Sequence, residues 1–144
     1  HSGKSEVLLI ARESFYGPLR QVILGDRALN YVNTTRCLGV IIDSKLSWQP
    51  HIDIVCKSFS QKVNYLKRLR ILPKRVLKTI YFSSIVPSVT YGMLIWGTCS
   101  PNLLHGLELI HLRAAKVIHG LTDSSFMFLN KLIGSQYLMY INEN

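Results

Sequence analysis

Apolar residues occur in short runs separated by turn residues over the first third of the chain. Gly-Asp is a common two-residue turn between antiparallel strands, so the runs on either side of Gly25-Asp26 predict a hairpin. A further β-branched run follows, with a bulge or a close backbone approach expected at Gly39. The runs are SEVLLIA at 5–11, LRQVIL at 19–24, ALNYV at 28–32 and RCLGVIID at 36–43. Residues 1–44 are therefore predicted to form a short antiparallel β-meander.

The spacing changes after Asp43 to the three-and-four period of an amphipathic helix. Lys57, Gln61, Asn64 and Arg68 fall on the side opposite the apolar stripe. Proline disfavours helical geometry in the residue before it, so Pro73 is expected to end this helix. The predicted buried stripe is Ile52, Val55, Cys56, Phe59, Val63 and Leu66.

Helical spacing resumes in LKTIYFSSI at 77–85, and Pro87 is expected to break or kink it. VTYGMLIWG at 89–97 is apolar on all sides and is predicted to be central. A last helix is bounded by Ser100 as N-cap, Pro101 in the first helical position and Gly120 past its end. Its predicted buried residues are Leu103, Leu107, Ile110, Ala114, Val117 and Ile118.

These patterns predict an α+β fold in which the short N-terminal antiparallel β-meander is followed by a helical bundle. The helical region is placed at 45–121, and a divergent tail without a firm period at 122–144. With 144 residues and 48% hydrophobic content, the chain can form one domain, or two lobes that share a core.

The charge distribution suggests a polyanionic partner. The net charge is +9, and residues 54–107 contain no Asp or Glu. A run of like charges is often only a solvated helix face, yet the length of this acid-free span favours nucleic-acid binding. The phosphate contacts predicted first are Lys57, Lys62, Lys67 and Arg68, followed by Arg70, Lys74, Arg75 and Lys78.

Signals for catalysis or metal binding are weak. Asp43 and Asp53 are ten residues apart and are interpreted as a turn residue and a helix-start acid. No two of the five histidines share one helix face at ligand spacing, and the three cysteines form no CxxC pair. We therefore expect no metal site, histidines with a structural or surface role, and buried reduced thiols. No apolar run reaches membrane-spanning length, so the protein is expected to be intracellular, in the cytoplasm or the nucleus.

Several ordered motifs resemble reverse transcriptases of non-LTR retrotransposons of the LINE type, especially jockey-like elements. RCLGVIIDSKLSWQPHI at 36–52 is similar to the strand and helix start that close the palm of these enzymes. The similarity continues through the basic helix, the pattern ending in YGMLIWG at 91–97 and LELIHLRAAKVIHGL at 107–121. SGKSEVLLIA at 2–11 is similar to the segment that follows the catalytic turn.

This resemblance implies roles for several residues. Lys4 corresponds to a lysine that helps to protonate the leaving pyrophosphate, Leu38 and Gly39 to the primer grip, and the helices after His51 to the thumb. The intact parent would be an RNA-directed DNA polymerase that uses Mg²⁺ in two-metal phosphoryl transfer on a template-primer. Its paired aspartates would precede His1. We therefore expect a fragment of palm and thumb that holds no cofactor, is inactive by itself and lacks the upstream palm and fingers.

Two other interpretations remain open at the sequence level. The chain could be a small non-enzymatic, basic helical nucleic-acid-binding protein, or a non-functional relic of a degraded element. For Leu38 and Gly39 taken alone, an ordinary buried strand is the simpler reading.

Overall fold

The structure, a computed structural model, describes residues 5–11 and 20–120. Short strands precede a series of helices in this part of the chain, which confirms the predicted α+β class. Lys4 and the predicted tail at 122–144 lie outside the described residues. The strands are β1 (Glu6–Leu8), β2 (Ile23–Leu24), β3 (Arg27–Ala28), β4 (Asn30–Val32), β5 (Thr34–Cys37) and β6 (Val40–Asp43). The helices are α1 (Gln49–Arg68), α2 (Lys74–Ile80), a π-helical segment (Tyr81–Ile85), α3 (Val86–Thr90), α4 (Met93–Trp96) and α5 (Pro101–His119).

The strands form three separate pairs instead of one meander. The pairs β2–β3 and β5–β6 are antiparallel, and Gly25-Asp26 forms the predicted turn of the first. β1 pairs with β4 in parallel, with Glu6 opposite Asn30. An apolar run does not encode the direction of its partner, and the long connection from β1 to β4, which includes a hairpin, permits parallel pairing.

The predicted run at 36–43 is itself a hairpin. Leu38 and Gly39 form its two-residue turn between β5 and β6, with φ values of 46° and 87°. Positive φ at both central residues is typical of the tight hairpin turns that follow strand twist. Neither the predicted bulge nor the ordinary buried strand is correct at this position, because Leu38 is 85% exposed at the hairpin tip. Leucine is uncommon at positive φ, so the pattern did not indicate a turn here.

The apolar stripe of α1 packs mainly against α5 and forms one core with β6. Ile52, Phe59, Val63 and Leu66 are buried as predicted, and Val55 and Cys56 are half-buried. The helix ends at Arg68, earlier than expected from Pro73, and Pro73 is instead the residue that precedes α2.

Pro87 is accommodated inside a continuous helical path. The π-helical segment directly precedes α3, and Pro87 is the second residue of α3. A proline has no N–H to donate to the preceding turn, and a widened π turn is one way for a helix to accept one. The predicted break or kink is therefore a local widening of the helix.

The segment at 89–97 is only partly central. Val89 and Trp96 are buried, whereas Tyr91 and Ile95 are more than half exposed and Leu94 is 97% exposed. The prediction that the whole segment is central was wrong, because apolar character on all sides of a short segment does not show which side faces the core.

α5 begins and ends where predicted. Gly120 follows it in the left-handed conformation, and its N–H donates to the Lys116 carbonyl. Ser100 occupies the N-cap position, but its side chain makes no capping hydrogen bond. Leu107, Ile110, Ala114 and Ile118 are buried as predicted, Leu103 and Val117 are half-buried, and Leu112 is also buried.

The connection from β6 to α1 is organised by the buried carboxylate of Asp43. Its Oδ1 accepts the backbone N–H groups of Lys45 at 3.0 Å and Ser47 at 3.1 Å, and its Oδ2 accepts that of Trp48 at 2.8 Å. Leu46 and Trp48 both have positive φ in this turn. Such conformations cost about 1–3 kcal/mol each, and charge-assisted hydrogen bonds to Asp43 offset that cost. This geometry supports the turn-residue interpretation of Asp43.

The same hydrogen bonds decide the ionisation of Asp43. Burial alone would raise its pKa, but the backbone N–H groups of Ser47, Trp48 and Lys45 outweigh burial, and the pKa lies below the ordinary value of 3.8. A carboxylate with a lowered folded pKa stabilises the fold above its unfolded pKa. This contribution is therefore lost as the pH falls below about 4 and through the folded value.

We predict that Asp43→Ala lowers the free energy of unfolding by about 3 kcal/mol, because it leaves three backbone N–H groups without their acceptor. Urea denaturation followed by tryptophan fluorescence measures this, since Trp48 and Trp96 are both buried. Asp53→Asn is the control: Asp53 is exposed and accepts a hydrogen bond from the Gln49 side-chain amide at 2.7 Å, so we expect a change within about 0.5 kcal/mol. Equal stability of the two variants would contradict the proposed role of Asp43.

Candidate nucleic-acid interface

The eight predicted phosphate-contacting residues lie on two consecutive helices and the turn between them. All are exposed except Lys62, which is half-buried. α1 carries Lys57, Lys62, Lys67 and Arg68, the turn carries Arg70, and α2 carries Lys74, Arg75 and Lys78.

Lys57 and Arg68 share the face of α1 opposite its buried stripe. At about 100° and 1.5 Å per residue, they lie within about 20° of one another and about 16 Å apart along the axis. That length matches about five nucleotides of one strand at roughly 3.4 Å each. Lys67 is turned about 80° away from Lys57 on one side of this face. We call the surface of Lys57, Lys67 and Arg68 the basic face.

Two of the basic side chains on α1 are held by neighbours. The ammonium group of Lys62 donates a hydrogen bond to the Ser88 hydroxyl on α3, which ties the side of α1 to the next helical layer. The guanidinium carbon of Arg68 lies 5.5 Å from the centre of the Tyr65 ring, within the range of a cation–π interaction. These contacts restrict the two side chains, and neither cation has a carboxylate partner among the residues that the structure describes.

The basic residues of α2 lie close to the end of α5. Burial lowers the pKa of His119, and the positive charges of Lys78 and Lys74 lower it further. These two lysines are four residues apart and therefore share one side of α2. The basic residues thus form two groups. One lies along α1, and the other lies on α2 beside the C-terminal end of α5.

None of the eight basic residues forms an ion pair with a carboxylate within residues 5–11 and 20–120. The ion pair found there joins His105 and Glu108 on α5, at 3.3 Å. Because residues 54–107 contain no acid, the positive potential of α1 and α2 is not neutralised locally. An anionic ligand would supply the missing counter-charge.

The hairpin tip is fixed to the helical region by Tyr91. The Tyr91 hydroxyl donates a hydrogen bond to the Leu38 carbonyl at 2.9 Å. A Cβ atom added at Gly39 would lie 3.5 Å from Cε1 of Tyr91, so the ring also lies against the turn. The hydrogen bond leaves the Leu38 side chain exposed while fixing the backbone that carries it. Motif order alone did not reveal this role of Tyr91, although the YG pair was part of the family pattern.

Gly92 allows the helices to approach the hairpin closely. It has a φ of 69°, and an added Cβ would lie 3.1 Å from Cγ2 of the buried Val40. The indole N–H of Trp96 then donates to the Tyr91 carbonyl at 2.9 Å. Leu38-Gly39, Tyr91-Gly92 and Trp96, which belong to separate motifs in the sequence, therefore meet at one junction.

His51 has a structural role in the same junction. Its Nδ1 accepts the Ile41 N–H at 3.3 Å, and its ring centre lies 5.9 Å from that of Trp96. Nε2 therefore carries the proton in the neutral ring, and it is buried without a hydrogen-bond partner among the described residues. Burial lowers the pKa of His51, which agrees with a neutral core residue.

Asp43 and Asp53 are not arranged as a pair of metal ligands. Both oxygens of Asp43 are occupied by backbone N–H groups, and Asp53 is exposed on the second turn of α1. Among the described residues, no group of three or more His, Cys, Asp or Glu side chains is placed to hold a metal ion.

The cysteines differ in exposure. Cys99 is buried and Cys56 half-buried, but Cys37 is exposed on β5, so the expectation of buried thiols was wrong at that position. Burial raises the pKa of the Cys56 thiol, with a further contribution from the negative charge of Asp53. Burial also raises the pKa of Cys99, so both thiols are held in the protonated form at neutral pH.

Two curated proteins of Drosophila melanogaster are similar to this chain. The RNA-directed DNA polymerase from mobile element jockey is 26% identical over 104 residues, which cover 69% of this chain and 11% of that protein. The probable RNA-directed DNA polymerase from transposon BS is 22% identical over 94 residues, which cover 62% of this chain and 10% of that protein. The chain thus spans about a tenth of the length of each relative. Both matches confirm the resemblance to reverse transcriptases of jockey-like mobile elements.

No protein-family model and no solved structure matches the chain. None of the helices in the described part of the chain is long and apolar enough to cross a membrane.

We predict that Gly92→Ala lowers the free energy of unfolding by about 2 kcal/mol or more, because it adds a close contact with Val40 to the strain of a positive φ. Gly25→Ala is the matched control: its φ of 64° is similar, but nothing lies within 4 Å of the added Cβ. The difference in unfolding free energy between the two variants, measured by urea denaturation, therefore reports the close contact of residue 92 with Val40. Equal losses would show that Gly92 is required only for its backbone conformation.

The lowered pKa of His51 predicts a loss of stability in mild acid. In the unfolded chain the His51 ring takes up a proton near pH 6.5, whereas in the folded state burial shifts this protonation to lower pH. The contribution of His51 to folding stability is therefore fully present above pH 6.5 and decreases as the pH is lowered further. The pKa values of His111 and His119 are also lowered, mainly by burial, and act in the same direction. His51→Asn should therefore reduce the slope of unfolding free energy against pH between about 6.5 and 5. An unchanged slope would contradict this assignment.

Proposed function

We propose that this chain is a segment of an RNA-directed DNA polymerase of a mobile element, and that it holds the template-primer. In this proposal the helices from His51 onward act as the thumb, and the basic face of α1 and the basic residues of α2 contact backbone phosphates. The observation that carries the proposal is a set of eight cations without a carboxylate partner in the described residues, in a chain similar to reverse transcriptases.

The distribution of charge supports binding to phosphates over a purely solvated surface. A solvated helix face usually mixes both signs, and here the eight positive charges lie in a span without acids. Contacts to phosphates position a nucleic acid without reading its sequence. The proposed binding is therefore strongly dependent on salt and nearly independent of sequence.

The hairpin tip supports a second contact with the template-primer. We assign the primer grip to Leu38 and Gly39, which project from the fold while Tyr91 holds the Leu38 carbonyl. A tip fixed to the helices would keep a constant distance between the primer end and the thumb. Lys4, outside the described residues, is included in the proposal as an auxiliary residue near the catalytic centre of the intact polymerase.

The proposed role of this segment is binding without catalysis. The intact polymerase would supply the paired aspartates and Mg²⁺, and this segment would bind nucleic acid without a cofactor. Its upstream partners would be the palm and fingers of the same polymerase.

Exposed apolar side chains favour a segment of a larger protein over a small independent binding module. Leu94 is 97% exposed, Ile71 90% and Leu38 85%. Side chains this exposed contribute little to the core of the chain itself, and neighbouring domains of a larger protein would cover some of them.

We predict that the chain binds a short hairpin duplex with an affinity that falls steeply between about 50 and 200 mM salt. Lys57→Gln and Arg68→Gln should each reduce the slope of log affinity against log salt concentration by about 0.9, because each removes one phosphate contact. Fluorescence anisotropy with labelled DNA–DNA and RNA–DNA duplexes measures both quantities.

Arg27→Gln serves as the control, because it removes the same charge from an exposed position on β3, outside the basic face. It should change the slope by much less than either α1 variant. Binding that does not respond to salt, or equal effects of all three substitutions, would refute the assigned interface.

A further inference from the structure

An open cleft lies between α1 and the π-helical segment, beside the basic face. Leu69, Ile80 and Ile85 contribute to its apolar floor, and Lys62, Tyr65 and Ser84 lie around it. Its volume of about 170 Å³ compares with roughly 30 Å³ for each water in the liquid and with roughly 300 Å³ or more for a drug-sized pocket. The cleft therefore suits a single planar ring better than a whole cofactor.

Tyr65 offers that ring a stacking surface. Its side chain is 62% exposed, so it adds little to the core of the fold. Nucleic-acid bases stack on exposed aromatic rings irrespective of sequence, because every base has a π face. The guanidinium carbon of Arg68 lies 5.5 Å from the centre of the same ring, so Arg68 places a positive charge beside Tyr65 although it does not line the cleft itself.

Lys62 also lines the cleft, and two successive hydrogen bonds hold its ammonium group. Its ammonium donates to the Ser88 hydroxyl, and that hydroxyl donates to the Ile85 carbonyl at 2.6 Å. An ammonium group has three donors, and this contact uses one of them. The charge of Lys62 is thus held in place with donors left for an anion.

We propose that this cleft binds an unpaired nucleotide. The base stacks on Tyr65 over the apolar floor, the Ser84 hydroxyl pairs with the edge of the base, and the adjoining phosphate contacts Lys62 and Arg68. An apolar side chain of a protein partner would fill the floor but leave both cations without a counter-charge, so charge complementarity favours the nucleotide. The inference rests on the proposed nucleic-acid-binding function and extends it from duplex backbone to single-stranded ends.

The test compares a blunt hairpin duplex with the same duplex carrying a short single-stranded extension, in DNA and in RNA. The extension contains a fluorescent purine analogue whose emission is quenched when it stacks. We expect the wild-type chain to bind the extended probe more tightly and to quench it. Tyr65→Ala should lower the affinity for the extended probe by roughly 5- to 150-fold, the equivalent of one base–aromatic stack. Its affinity for the blunt duplex should fall much less, because Arg68 loses its contact with the Tyr65 ring but keeps its charge.

Three further variants sharpen the result. Tyr65→Phe retains the ring and should retain quenching, whereas Ser84→Leu should fill the cleft and weaken binding of the extended probe alone. Phe82→Ala is the matched control, because Phe82 is also 62% exposed but lies outside the cleft.

Three outcomes would overturn the proposal. If the wild-type chain binds both probes equally, or if Tyr65→Ala behaves like Phe82→Ala, the cleft does not hold a nucleotide, and the salt-dependent duplex interface is unaffected. If neither probe shows salt-dependent binding, the proposed function fails together with this inference.

Discussion

The hydrogen bonds from three backbone N–H groups to the buried Asp43 carboxylate are the interaction on which the arrangement of this protein depends. They hold a turn with two non-glycine residues at positive φ, and this turn directs the chain from β6 into α1. Together with the hydrogen bond between Ile41 of β6 and His51 of α1, this turn sets how the hairpin lies relative to α1. The orientation of α1 in turn decides which side chains join α5 in the core and which form the basic face. The carboxylate interpreted from the sequence as a turn residue therefore anchors the structure at this point.

A second junction ties the hairpin tip to the helices. Tyr91 bonds the Leu38 carbonyl, and the left-handed Gly92 approaches Val40 without a side chain between them. Trp96 closes the junction through the Tyr91 carbonyl and lies near the ring of His51. Packing thus explains the motif residues that meet here, because Tyr91 supplies a hydrogen bond, Gly92 a close approach and Trp96 a buried ring. The proposed primer grip, Leu38 and Gly39, is thereby fixed to the helices of the proposed thumb.

The basic face has a different physical character from these junctions. Its side chains are exposed and contribute little to the core, so they are free to be selected for electrostatic contact with a ligand. Mutual repulsion in a span without acids costs some stability, and binding a polyanion would relieve it. The neighbouring cleft adds the Tyr65 ring and an apolar floor to this positive potential. Binding to the backbone of a duplex requires neither feature.

The sequence by itself determined the α+β class, the buried stripe of α1, the limits of α5 and the location of the basic run, because these depend on local periodicity, capping residues and charge. It did not determine that β1 and β4 are parallel, that Leu38 and Gly39 form a hairpin turn, or that Leu94 is exposed. Those features depend on which segments meet, and neither pairing direction nor the solvent-facing side of a short apolar segment is encoded locally. The cleft at Tyr65 also arose only in three dimensions. Its members come from α1, α2 and the π-helical segment, and only the packing of these helices places a cation, a ring and an apolar floor together.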